Sequence, residues 1–169
     1  MQASSVEVKV GLAPIISDDS RILILGSMPG DESIRLQQYY GHRQNHFWKI
    51  LGEVFGETVP SVYEQRLAFL HARGIAVWDV LAAAERIGSS DSNIKNEVAN
   101  DFTGFLAAHP GLQSIVFNGH KAEALFRRHE KSQAVATGTL RKLVFPSTSP
   151  LNMTPIGEKV LRWKPLATL

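Results

Sequence analysis

With 169 residues, 44% of them hydrophobic and 20% charged, the chain has the size and composition of one domain with its own core rather than of a disordered segment. A net charge of +2 permits contact with nucleic acid without requiring it. The lack of cysteine excludes disulfides, thiolate metal sites and a cysteine nucleophile.

No apolar run approaches the roughly 20 residues of a membrane span. The first residues, MQASSVEVKVGLAPI, lack the basic and apolar regions of a signal peptide. The expectation is therefore a cytoplasmic, monomeric protein forming a single domain over 1–169, with residues 1–15 as a loose arm or an edge strand.

RILILG (21–26) is the first continuous apolar run and reads as a buried strand. GSMPG follows, and Asp31 and Glu32 then suit the positive end of a helix. NHFWKILGEVFG (45–56) is helical, with Asn45 as a candidate N-cap and Phe47 and Trp48 in the core. SVYEQRLAFLHARG (61–74) is a second helix, with Val62, Leu67 and Leu70 as its apolar stripe and Gly74 as its stop. GIAVWDV (74–80) is a second strand. VANDFTGFLAAHPG (98–111) is a helix burying Phe102, Phe105 and Leu106 and ended by His109-Pro110-Gly111. QSIVFNG (113–119) is a third strand. HKAEALFRRHEK (120–131) is a helix with Ala122, Leu125 and Phe126 inward, and KLVFPS (142–147) is a fourth strand. PSTSPLN then leads to a short C-terminal helix, for which Ser149-Pro150 is a candidate start.

Continuous apolar strands alternating with helices imply a parallel sheet covered on both faces and linked by right-handed crossovers. Ligands of such sheets sit beyond the carboxyl ends of the strands. GSMPG, WDVL, FNGHK and PSTSPLN all leave those ends, so they should converge.

Gly26, Ser27, Met28, Pro29 and Gly30 make a stiff, small-residue turn that a ligand can approach closely. A nucleotide P-loop is excluded by the missing Lys-Ser/Thr pair and by the acids that follow. Tyr39 and Tyr40 precede a glycine, and an aromatic face is what a protein uses to stack on a base. Asn45 can cap a helix or present its amide to a water or a base edge. His42 and His46 have a helical metal spacing, but no third ligand accompanies them. Asn118 ends an apolar strand, where it either caps the next helix or reads a base edge with its donor and acceptor. Asp79 ends the second strand as a cap or as a general base. Ser147, Thr148, Ser149, Pro150 and Asn152 form a rigid hydroxyl-rich loop suited to phosphate contacts.

Together, GSMPG, YYGHRQNHFW, WDVL with RIGSSDSNI downstream, IVFNG and PSTSPLN resemble the uracil-DNA glycosylase superfamily over about residues 20–160, and most closely its hypoxanthine-DNA glycosylase branch. The resemblance implies a three-layer α/β/α sandwich with a short, mainly parallel four-stranded sheet. It implies a monofunctional enzyme that flips a deaminated base, above all hypoxanthine, out of double-stranded DNA and hydrolyses its N-glycosidic bond without metal or cofactor. Mismatch-specific relatives carry GINPG as their first motif, with the asparagine placing the water. Met28 stands there in this chain, and a thioether cannot hold water as an amide does.

The resemblance moves the water-handling role to Asn45 and the stacking role to Tyr40. It makes Gly26–Gly30 and Asn118 the base pocket. His42, Ser147, Thr148, Ser149, Pro150 and Asn152 become the grip on DNA; position alone, not the resemblance, suggests Leu151 or Met153 as the wedge. Three alternatives stay open: Asp79 as general base, a uracil or thymine mismatch substrate, and an inactive nucleotide-binding module. A nucleoside hydrolase or phosphatase of small molecules is disfavoured, because neither an acidic metal cluster nor a GxSxG nucleophile motif is present.

Overall fold

The computed structural model describes residues 7–169, so the first six residues of the expected N-terminal arm lie outside the described residues. β1 (Val8–Val10) and β2 (Ile22–Gly26) are followed by α1 (Asp31–Leu36), α2 (Phe47–Phe55), α3 (Tyr63–Ala72) and β3 (Ile75–Asp79). β4 (Leu81–Glu85) and β5 (Lys95–Ala99) come next, separated by a loop with a 3-10 turn at Asp91–Asn93. The chain continues as α4 (Phe102–Ala108), β6 (Ser114–Asn118), α5 (His120–Gln133), β7 (Arg141–Phe145) and α6 (Ile156–Trp163).

The main sheet has the order β3-β2-β6-β7, and every pair in it is parallel. β2 and β3 are buried at every position and β6 at all but Asn118, as strands covered on both faces must be. β7 is the sheet's edge and carries exposed Arg141 and Lys142, charges that discourage further strand pairing. α2 and α6 pack together, as do α4 and α5. With right-handed crossovers, this gives one helical layer of α2, α3 and α6 and a second of α4 and α5. The expected α/β/α sandwich is the fold.

Several local expectations change. β3 does not end in a helix: the chain turns at Val80 into β4, and β1, β4 and β5 form a separate antiparallel sheet in the order β1-β4-β5. LAAAE favours helix by composition, and pairing on both sides overrides that preference. Val98 and Ala99 are therefore strand, and the helix expected from 98 begins only at Phe102, with Asp101 accepting the Gly104 N–H at 3.0 Å. α3 buries Phe69 and Leu70, whereas Val62 precedes it and is exposed. α6 is preceded by Pro155 rather than by Ser149-Pro150. Residues 8–10 are an edge strand of the small sheet, one of the two alternatives for that segment. No helix among the described residues is long and apolar enough to cross a membrane.

Candidate active site

The chain leaves β2 toward β3 on one side and later returns to β6 on the other. The carboxyl ends of β2 and β6 therefore flank the point where strand order reverses, the usual crevice of a parallel sheet. A cleft of about 780 Å³ opens there, lined by 26–33, 39–40, 42, 44–45, 79, 87–93, 118 and 147–152. Each candidate named from the sequence lines it: Asn45 and Asp79; Gly26, Ser27, Met28, Pro29, Gly30, Tyr40 and Asn118; His42, Ser147, Thr148, Ser149, Pro150 and Asn152.

Gly26 pairs with Asp79 across β2 and β3. A Cβ on Gly26 would stand 2.5 Å from Asp79 Oδ1 and 3.4 Å from Tyr40 Oη. Glycine is thus required by the close approach of a carboxyl group and a phenol. Asp79 is not a helix cap, since the chain continues directly into β4. Asp79 is 4% exposed, and its Oδ2 is buried with no hydrogen-bond partner among the described residues. Burial pushes the Asp79 carboxyl up to about 7; the nearby Asp91 charge adds to the rise and Arg86 opposes it.

Tyr40 has a left-handed backbone (φ 53°), a conformation that non-glycine residues seldom adopt. Its ring stacks on Phe47 with centroids 3.8 Å apart, and its hydroxyl accepts from Asn118 Nδ2 at 3.1 Å. Phe47 covers one face of the ring, and Tyr40 lines the cleft. Burial holds the phenol well above its ordinary range. Tyr39 is buried, and its hydroxyl donates to the Ala13 carbonyl at 2.9 Å.

Asn118 is not the cap of α5; Gly119 takes that position with φ 99°. Asn118 Nδ2 also donates to Thr148 Oγ1 at 3.0 Å, and its Oδ1 accepts the Thr148 N–H at 2.9 Å. Its amide is a bracket that ties Tyr40 to the serine-rich loop, leaving one lone pair of Oδ1 for anything else. Thr148 is fully buried, so its hydroxyl braces the loop from behind rather than facing a phosphate.

Asn45 stands one residue outside the expected cap. α2 starts at Phe47 with His46 as the residue before it, and Asn45 Oδ1 accepts the Phe47 N–H at 2.9 Å. That contact fixes the amide, and among the described residues its NH₂ has no protein partner. The His46 N–H donates to the Thr148 carbonyl at 3.0 Å, which joins the Asn45 turn to the serine-rich loop. His42 Nδ1 accepts the Gln44 N–H. No three of His, Asp or Glu among the described residues converge as metal ligands would.

The serine-rich loop is clamped from within and below. Ser147 Oγ accepts the Ser149 N–H at 3.2 Å, and Asn152 Nδ2 donates to the Ser147 carbonyl at 3.1 Å. The fully buried Lys159 donates to the Ser149 carbonyl at 3.3 Å, and Trp163 Nε1 donates to the Pro146 carbonyl at 2.8 Å. Leu151 and Met153 project outward, 64% and 89% exposed.

Sequence reasoning singled out RIGSSDSNI but assigned no residue in it. That segment is the fourth wall. Arg86 has a fully buried side chain; its Nη2 donates to the Pro29 carbonyl at 2.5 Å and its Nε to the Gly88 carbonyl at 3.0 Å. Its Nη1 is 3.9 Å from Asp91 Oδ1. Ser89 Oγ accepts the Asp31 N–H at 3.0 Å, and Lys9 Nζ donates to the Gly88 carbonyl at 2.7 Å. An arginine beside a glycine and a run of serines is the signal that marked it. Its partners lie in Pro29 and Asp31, far away in sequence.

The sequence profile of the uracil DNA glycosylase superfamily matches residues 13–167. The chain belongs to that superfamily, whose cleft and parallel sheet it carries, and by class it is a DNA glycosylase. It is 45% identical over 115 residues to a protein of Methanosarcina barkeri and 46% identical over 116 residues to one of Methanosarcina acetivorans. Both are named hypoxanthine DNA glycosylase, and each match covers 68% of this chain and 73% of the relative. The fold is also similar to a solution NMR structure from Methanosarcina acetivorans, provisionally designated a uracil DNA glycosylase. It has a TM-score of 0.77 and 36% identity, with 95% of this chain and 99% of that one covered.

Proposed function

We propose that this protein removes hypoxanthine from double-stranded DNA, acting as a monomer without a cofactor, as the first step of base excision repair. The observation that carries the reading is the Tyr40–Asn45 wall: a ring locked by Phe47 and Asn118, beside an amide whose NH₂ is unengaged. The names of the two Methanosarcina relatives support the choice of hypoxanthine.

The base must leave the stack before its glycosidic bond is accessible, at a cost of a few kcal/mol that is smaller for a poorly paired base. Stacking on Tyr40 recovers about 1–3 kcal/mol of it. Leu151, exposed at the cleft's edge, fills the space the base vacates. Ser147, Ser149, Asn152 and His42 hold the DNA backbone at the rim. In the cleft, Asn45 donates to a water and aims its lone pair at the sugar carbon. The glycosidic bond breaks with its electron pair leaving on the base, and the water oxygen closes on the carbon. Met28 also lines the cleft, and its thioether is only a weak acceptor for a water, so Asn45 carries that role.

The test uses end-labelled duplexes, each with one hypoxanthine, uracil, xanthine or mismatched thymine, incubated with the protein and then treated with alkali. Strand breaks at hypoxanthine are the expected result. Breaks at uracil alone would overturn the substrate assignment. Binding without breaks on every duplex would make the protein a non-catalytic binder.

A further inference from the structure

Asp79 has no place in the hydrolysis just described, yet it lies inside the base cleft. It is 4% exposed, Oδ2 has no hydrogen-bond partner among the described residues, and Gly26 is glycine so that Oδ1 can come close. A buried, unpartnered carboxyl group is a standing penalty unless a ligand completes it. Building on the hypoxanthine reading, we infer that Asp79 reads the deaminated base as a neutral acid, its O–H donating to the oxo oxygen that deamination leaves where an amino group stood.

The surroundings favour the neutral acid. Asp91 faces Asp79 from the 86–94 loop, and Tyr39 and Tyr40 adjoin it from the turn after α1. Arg86 opposes the neutral form; the Nη2 and Nε of that guanidinium are held by the Pro29 and Gly88 carbonyls, and its Nη1 lies 3.9 Å from Asp91 Oδ1. Burial pushes this carboxyl up to about 7, well above the usual carboxylate range.

A neutral acid favours the oxo base. Toward the amino group of an undamaged adenine only its carbonyl oxygen can act, as an acceptor; to an oxo oxygen its O–H donates. The same hydrogen bond strengthens as the bond to the sugar breaks and negative charge spreads onto the oxo oxygen. The balance is simple. The C1′–N bond breaks with its pair on the base, a C1′–O bond forms to water, the water's proton leaves to solvent, and the base takes a proton from solvent. Asp79 keeps its own throughout.

The test is single-turnover cleavage of a hypoxanthine duplex from pH 5 to 9 by wild type, Asp79→Asn and Asp79→Ala, with melting curves to confirm folding. A duplex containing unsubstituted purine, which lacks the oxo group, is run beside it. The expected wild-type rate falls about tenfold per pH unit above the pH where Asp79 ionises. Asp79→Asn keeps a donor, stays within about tenfold of wild type at pH 6 and shows no alkaline fall. Asp79→Ala loses at least 100-fold on hypoxanthine and little on unsubstituted purine. A wild-type rate that rises with pH, with both variants equally inactive, would make Asp79 a general base and overturn the inference. Wild-type rates in both variants would overturn it as well. A wild-type protein inert on hypoxanthine at every pH would remove the substrate reading and the inference with it.

Discussion

The parallel sheet and the rim at its carboxyl end follow opposite rules within one or two residues of each other. From Ile22 to Leu25 and from Ile75 to Val77, every side chain is apolar and buried. Just past them the buried groups are polar. Asp79 has an orphaned oxygen, Arg86 is enclosed, Tyr40 holds a left-handed backbone, and Thr148 and Lys159 are shut away from water. The sheet supplies stability and a fixed frame. The rim concentrates burial costs and strain, which a fold tolerates where geometry serves a ligand. Substitutions in the two regions should therefore separate stability from activity.

The largest effect belongs to the sheet. Ile24→Ala should lower unfolding free energy by about 2–5 kcal/mol, read by urea denaturation, while activity per folded molecule is unchanged. Asn45→Ala should do the reverse, lowering single-turnover cleavage about 10²–10³-fold, as loss of a placed hydrogen-bonding group does, with the melting temperature little moved.

Asp79→Asn tests the rim's burial cost. The folded carboxyl is pushed up to about 7, while the unfolded chain ionises near the usual carboxylate value. The fold therefore holds the proton more tightly. The contribution of Asp79 to stability is largest below about pH 4 and falls as pH rises toward about 7, by roughly 2–4 kcal/mol, with little further change above. The asparagine variant should lack that decline and be the more stable protein at pH 8. Equal pH dependence in both, by urea midpoint, would place the titration elsewhere.

Tyr40→Ala should weaken the complex with a flipped-base duplex by about 1–3 kcal/mol, with Tyr40→Phe losing less because stacking survives. Leu151→Ala, on the exposed edge, should slow base release by about tenfold or less, read on the same duplex.

Much of this difference was legible in the sequence. Ile22–Leu25, Ile75–Val77 and Ile115–Phe117 announce buried strands because a side chain's fate there depends only on its own apolarity. The cleft was legible as well, since Gly26, Tyr40, Asn45, Asn118 and Ser147 all follow strands or open helices. The small antiparallel sheet was not, because LAAAE has a helical composition and its strand character comes from partners at Val8–Val10 and Lys95–Ala99. The use of each amide was equally hidden. Asn118 as a bracket depends on Tyr40 and Thr148, 78 and 30 residues away. Arg86 needs Pro29, 57 residues earlier. Such pairings are properties of the folded surface, which local patterns do not encode.

A catalytic centre at the Tyr40–Asn45 wall of a hypoxanthine-releasing enzyme makes base release depend on Asn45. The most direct measurement is the single-turnover rate of base release from a hypoxanthine·thymine duplex, with wild type and Asn45→Ala side by side and both shown to be folded and to bind the duplex. Complete release by wild type and a rate lower by about 10²–10³-fold in the variant is the predicted result. Equal rates in the two proteins, or release of uracil with hypoxanthine left intact, would contradict it.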